Sequence, residues 1–177
     1  MFKRREIVFL IIASIILACN SDKEEDQTTV ALQEQVSIKT DSLVNKILGD
    51  EEGLIRGFDL GIPISKVKEL ENLEQFSETE NELGYTFETK EDELVDIYYL
   101  YDYSQFLEEV QVDIYLNDDS TSSNVLEALT KYFTLKYGSA VSHNPEIWKA
   151  SKTDRVKVSQ IKQKIDRGLQ INFYMED

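Results

Sequence analysis

In the segment Glu108–Leu116, apolar and polar residues alternate from Glu109 onward. Val110, Val112, Ile114 and Leu116 fall on one side of an extended chain, and Gln111, Asp113, Tyr115 and Asn117 on the other. A strand with one dry and one wetter face belongs to an antiparallel sheet. Two earlier segments, Gly84–Glu88 and Leu94–Tyr103, read as strands for the same reason. Three more are predicted later in the chain: near Trp148, over Val156–Ile161 and over Leu169–Met175. Helical spacing appears in three places. Val36, Leu43 and Ile47 mark a helix over 36–48 that Gly49 stops; a short helix capped by Ser65 carries Val67, Leu70 and Leu73. The longest helix, about 122–137, carries Leu126, Leu129, Tyr132 and Phe133 as its apolar stripe and ends at Gly138. Leu54–Leu60 reads as a short strand or extended lead-in, and Gly61-Ile62-Pro63 as a turn. The predicted class is α+β, an antiparallel sheet with helices packed on one face.

The pattern repeats. Val110-Gln-Val-Asp-Ile-Tyr-Leu116 matches Leu169-Gln-Ile-Asn-Phe-Tyr-Met175 at an offset of 59 residues. Without a gap, the same offset lays Val67 on Leu126, Leu70 on Leu129, Ile97 on Val156 and Tyr99 on Val158. A tandem α-β-β-β duplication, with repeats 63–116 and 122–175, explains the match; two amphipathic strands of similar composition are the alternative. The layout resembles tandem helix-plus-sheet proteins such as the β-lactamase inhibitor protein and the small outer-membrane assembly lipoproteins. The resemblance is architectural, so it implies no functional residues.

The N-terminus adds a location. Lys3, Arg4 and Arg5 precede an apolar run from Ile7 to Ala18, broken by Ser14. Its twelve residues fall short of the roughly 20 that a membrane span needs but fit a signal peptide. Ile16-Leu17-Ala18-Cys19 resembles the lipobox of bacterial lipoproteins, with Leu17 bulkier than the usual occupant of its place. The resemblance implies cleavage before Cys19 and acyl chains on that cysteine, which anchor the chain to a membrane. Residues 1–18 are then signal peptide, 19–35 a lipidated, acidic tether, and 36–177 a single domain. The acidic stretch Asp22–Asp26 resembles the export signal of surface-displayed lipoproteins; a solvated spacer is the other reading. Asn20 is not the aspartate associated with inner-membrane retention, so the expected location is the outer membrane, on its periplasmic face or the cell surface.

Charge sharpens the choice of partners. The chain carries 19 basic and 34 acidic residues, and loss of residues 1–18 leaves a net charge of −17. Nucleic acid is excluded as a partner on electrostatic grounds. Residues 50–120 hold 4 basic and 21 acidic groups, whereas residues 121–177 hold 9 and 6. The acidic stretch is either a solubilising surface or a face for a basic protein.

Catalytic chemistry finds little purchase. Lipidation of Cys19, the only cysteine, leaves no thiol for a nucleophile, and His143, the only histidine, leaves little for a usual zinc ligand set. Asp113, Asn117, Asp118 and Asp119 lack the spacing of a calcium loop and read as a turn into a helix. No cofactor motif is present, and no catalytic or metal residue is nominated. The unusual feature is the run Tyr98-Tyr99-Leu100-Tyr101-Asp102-Tyr103 among acids. It suggests a binding face of Asp96, Tyr99, Tyr101, Asp102, Tyr103, Asp113 and Tyr115. The expected function is a membrane-tethered, non-enzymatic module that binds a protein or ligand. An immunity or inhibitor lipoprotein against a toxin or hydrolase and a carboxylate-based envelope hydrolase are the alternatives.

Overall fold

The structure is a computed structural model; it describes residues 42–89, 92–162 and 167–176. The predicted signal segment, Cys19, the tether and the first part of the helix expected over 36–48 lie outside the described residues. Three helices are described: residues 42–48 (α1), Ile64–Leu70 (α2) and Asp119–Tyr137 (α3). The strands are β1 (Glu74–Glu78), β2 (Glu82–Glu88), β3 (Leu94–Tyr101), β4 (Leu107–Tyr115), β5 (Ser142–His143), β6 (Glu146–Lys149), β7 (Asp154–Lys162) and β8 (Arg167–Met175). They form one antiparallel sheet in the order β1-β2-β3-β4-β8-β7-β6-β5. The fold is mixed α+β.

Alternation sets the two sides of this sheet. In β3, Val95, Ile97, Tyr99 and Tyr101 are buried and the residues between them are only half-buried. Val110, Val112 and Ile114 of β4 and Leu169, Ile171 and Phe173 of β8 continue the apolar side. α3 covers it in the second half, where Phe133 meets Phe173 at 6.0 Å and Trp148 at 5.3 Å. The buried stripe of α3 is Val125, Leu129 and Phe133. Leu126 and Tyr132, expected in that stripe, flank it and are only partly buried. The helix starts earlier than its apolar pattern suggests, because the Asp118 carboxylate accepts a hydrogen bond from Thr121 N at 2.8 Å.

The first half is covered differently, by α1, α2 and the loop between them. Residues 54–60 are not a strand: Ile55 and Phe58 close a tight turn, with Arg56 at φ +51°. That turn aims the Arg56 guanidinium at Glu71, just past α2, with Nε to Oε2 at 2.8 Å and Nη2 to Oε1 at 2.9 Å. Tyr99 Oη donates to the same carboxylate at 2.6 Å, and Arg56 Nη1 donates to the Lys46 carbonyl of α1 at 2.8 Å. One carboxylate thus ties both helices and the loop to β3. α2 begins at Ile64, one residue before the expected cap, and Leu70 is 61% exposed because the helix ends there.

Each half runs helix, then four strands, one strand more than the expected α-β-β-β unit. β1 was not expected. It holds a single apolar residue, Phe76, and as an edge strand buries almost nothing. The ungapped 59-residue offset holds for the last strands but not for the whole half. Ile114 pairs with Val95 and Phe173 pairs with Val156. The step from 114 to 173 is 59, whereas that from 95 to 156 is 61. By position in its hairpin Val95 matches Val156 and Ile97 matches Val158; one of the two extra residues is the β4 bulge at Glu108 and the other lies in the β3–β4 turn. The slip is even, so it leaves each side chain on the face expected of it.

Candidate functional site

The second face of the sheet carries no described helix. Counting alternate residues from the buried ones places Glu82, Gly84, Thr86 and Glu88 of β2 there, with Asp96 and Tyr98 of β3. β4 adds Glu109, Gln111, Asp113 and Tyr115, β8 adds Gln170, Asn172 and Tyr174, and β7 and β6 add Lys157 and Lys149. Register aligns these in rows. One row reads Thr86, Asp96, Asp113, Gln170; the next reads Gly84, Tyr98, Gln111, Asn172, Lys157.

Hydrogen bonds hold the centre of this face flat. Gln170 Nε2 donates to Asp113 Oδ1 at 2.8 Å, and Gln111 Nε2 donates to Asp113 Oδ2 at 3.1 Å. Asn172 Nδ2 donates to Glu109 Oε1 at 2.7 Å, and the Thr86 hydroxyl donates to Asp96 Oδ1 at 2.7 Å. Asn172 is 4% exposed, yet its Oδ1 has no donor. An acceptor buried without a partner costs roughly 1–3 kcal/mol. Aromatic rings stand around the polar centre. Phe76 lies edge-on to Tyr98 at 5.6 Å and occupies the space over Gly84, where a Cβ would come within 2.7 Å of its ring and 2.4 Å of Ser77 Oγ. Burial, reinforced by the Asp96 carboxylate, pushes the Tyr98 hydroxyl up to about 12. Tyr98 therefore remains a neutral hydrogen-bond donor at physiological pH.

Charge divides the face. Glu82, Glu88, Asp96, Glu109 and Asp113 lie on β2–β4, and Lys149 and Lys157 lie on β6 and β7. Arg155 shares the basic side, but its guanidinium is bound to Glu176 and to the turn carbonyls of Ser151 and Asp154.

The seven residues expected to form one binding face go to three places. Asp96 and Asp113 lie directly opposite each other on the open face, with Tyr115 one row further along the same strands. Tyr99 and Tyr101 point the other way, 0% and 5% exposed, and belong to the core. Their place in β3 has the parity of Val95 and Ile97, so they cannot share a face with Asp96. Asp102 and Tyr103 leave the sheet: Asp102 Oδ1 accepts from Phe106 N at 2.8 Å in the β3–β4 turn, and Tyr103 is 99% exposed at its tip. Tyr98, Gln111, Gln170, Asn172 and Tyr174, not singled out from the sequence, complete the face. The signal for them was the parity of the strands.

A second concavity, of about 500 Å³, lies beside the β5–β6 hairpin, lined by His143, Pro145, Glu146, Lys157 and Ser159 among others. Its Glu146 carboxylate accepts from Thr130 Oγ1 at 2.6 Å, which ties it to α3. His143 is exposed on a two-residue strand, and among the described residues no carboxylate is hydrogen-bonded to its ring. Among the described residues, no three or more His, Cys, Asp or Glu side chains converge as a metal site, and no described helix is long and apolar enough to cross a membrane. No known family matches this chain, and neither the curated proteins nor the solved structures contain a match.

Proposed function

We propose that this chain is a lipid-tethered, non-enzymatic binding module of the bacterial cell envelope, anchored through Cys19, whose open sheet face holds a basic surface of a protein partner. The observation that carries the reading is the composition of that face. The carboxylates of Glu82, Glu109 and Asp113 share it with the aromatic side chains of Tyr98, Tyr115 and Tyr174. Aromatic rings with carboxylates bind cationic side chains well, through charge and through the ring faces. The same architecture supports descent of the two halves from one duplicated α-β-β-β-β unit, since the strand order is palindromic about the β4–β8 pair.

The test is affinity capture from intact cells with the lipidated chain and with a Glu82→Lys/Glu88→Lys variant. Neither carboxylate anchors the fold; Glu82 makes only a 3.5 Å contact with Ser77 Oγ. The expected result is loss of the captured proteins with the variant. Capture of an unchanged set removes the reading. Detergent phase partitioning of Cys19→Ser checks the anchor: the chain should leave the detergent phase.

A further inference from the structure

The face that binds has a basic half as well as an acidic one, and the two are arranged symmetrically about the β4–β8 pair. We propose that the partner of the open face is the open face of a second copy of this chain, the two sheets packing about a two-fold axis parallel to the strands between β4 and β8. The inference rests on the reading of that face as a binding surface and names its occupant.

Charge selects the axis. A two-fold axis across the strands would lay β2–β4 of one copy on β2–β4 of the other, acid on acid. An axis along the strands lays β4 on β8, β3 on β7 and β2 on β6, so acid meets base on both sides. The rows of the sheet then give the partners. Gln111 and Asn172 are opposite in register, so the Gln111 side chain of one copy comes over the Asn172 side chain of the other, twice by symmetry. Asp113 comes over Gln170 by the same rule, and Tyr98 over Lys157, a ring beneath an ammonium. Glu82 comes over Lys149 at the margin. Such a self-complementary patch is what an isologous dimer requires.

Size agrees with this. The six strands from β2 to β6 span about 29 Å across and about 27 Å along the chain, on the order of 800 Å² per copy. A stable interface buries about 800 Å² on each partner. Two sheets pack face to face with their strands about 30° apart, so register is kept at the centre and loosens at the margins. The central pairs, Gln111 with Asn172 and Asp113 with Gln170, therefore carry the specificity.

The experiment is sedimentation equilibrium of the full-length lipidated chain in density-matched detergent, with two charge-reversed variants. Glu82→Lys/Glu88→Lys sets lysine over Lys149 at both margins, and Lys149→Glu/Lys157→Glu sets glutamate over Glu82. The wild type should dimerise. Each variant alone should dissociate at least ~10-fold more readily. An equimolar mixture of the two should recover the dimer, because lysine then meets glutamate at both margins. Circular dichroism and the emission of Trp148, the only tryptophan, show whether each variant folds, and a misfolded variant is replaced by Gln111→Leu, which should also weaken the dimer. A monomeric wild type, or variants that dimerise as well as the wild type, overturns the proposal. If the wild type is monomeric while the basic variant still loses its captured envelope proteins, the binding face stands and its occupant is another chain. If capture is also unchanged, the reading of the face itself falls.

Discussion

Replacing Tyr99 by Phe removes one hydroxyl from the carboxylate that joins the helices of the first half to the sheet. Tyr99 Oη donates to Glu71 Oε2 at 2.6 Å, and the Glu71 side chain is 1% exposed. Hydrogen bonds to a charged group contribute about 1.5–3 kcal/mol. The ring itself stays packed against Phe58 and Tyr85, at 5.6 and 5.8 Å, so no cavity term is added. The expected loss is therefore about 1.5–3 kcal/mol, or ~5–9 °C in Tm for a domain of this size. Arg56→Ala should cost more, about 3–5 kcal/mol, because it leaves a buried carboxylate without its cation. Acidity separates this account from simple packing. Burial alone would raise the Glu71 pKa, but hydrogen bonds from Arg56 and Tyr99 and the Arg56 charge outweigh it and hold the group below its ordinary value. A carboxylate whose folded pKa is depressed contributes its full stabilisation above the unfolded value of about 4.3 and loses it as pH falls through the folded value. Guanidinium unfolding of wild type and Tyr99→Phe, followed by circular dichroism at about pH 7 and about pH 3, measures both effects. The difference between the two proteins should shrink at the lower pH. A Tyr99→Phe loss under about 0.5 kcal/mol, or one equally large at both pH values, refutes the reasoning.

Four further outcomes follow from the packing. Gly168→Ala should destabilise by about 3 kcal/mol or more, because a Cβ there would sit 1.8 Å from the Ile114 carbonyl oxygen at the central strand pair; urea unfolding measures it. Gly84→Ala should cost less, about 1–2 kcal/mol, since the clash is with Phe76 and Ser77 of an edge strand that can lift away; the urea midpoint and amide exchange confined to β1 check it. Phe133→Ala should lose about 3–5 kcal/mol and shift the emission of Trp148 to the red, as water reaches the ring it packs against at 5.3 Å. Asp96→Asn should raise stability by ~0.2–1 kcal/mol in the same urea assay, because it removes one of two like charges directly opposite in register while the amide oxygen still accepts from the Thr86 hydroxyl.

How far the chain could be read before folding follows from how much each segment buries. β4 and β8 were legible because every second side chain is apolar and buried, and a slip of one residue would turn the whole strand inside out. β1 was illegible because Glu74, Gln75, Ser77 and Glu78 satisfy no period, and only pairing with β2 makes them a strand. The turn at 54–60 looked extended because Leu54, Ile55 and Phe58 are all buried. They are buried by a reversal held through Arg56, whose contact with Glu71 spans 15 residues and leaves no local signature. The tyrosine run failed as a site for a simpler reason. Composition brought Tyr99 and Tyr101 to attention, whereas period 2 assigns them to the core and hands the open face to Tyr98. Gln111, Gln170 and Asn172 carry no catalytic or ligand motif, so only the sheet's register brings them together.

The open face is built at some expense to the fold, and the form of that expense bears on its role. A surface that served solubility alone would place its acids at exposed, mutually distant positions. Here Asp96 and Asp113 face each other across adjacent strands, with Asp113 only 8% exposed, and Asn172 keeps a buried oxygen without a donor. Each is a local loss that a leucine or threonine would remove while leaving the apolar core untouched. The opposite side of the same strands shows what this chain does where only stability matters: it packs Val95, Ile97, Val112, Ile114, Ile171 and Phe173 against helices with no polar atom among those side chains. Polar groups that weaken a strand on one face, while the other face is packed without compromise, are what the proposed role of the open face as a binding surface would account for. If that is their role, Asp96→Asn should stabilise the chain and weaken what the open face holds, and a variant that gains stability without losing association would separate the two.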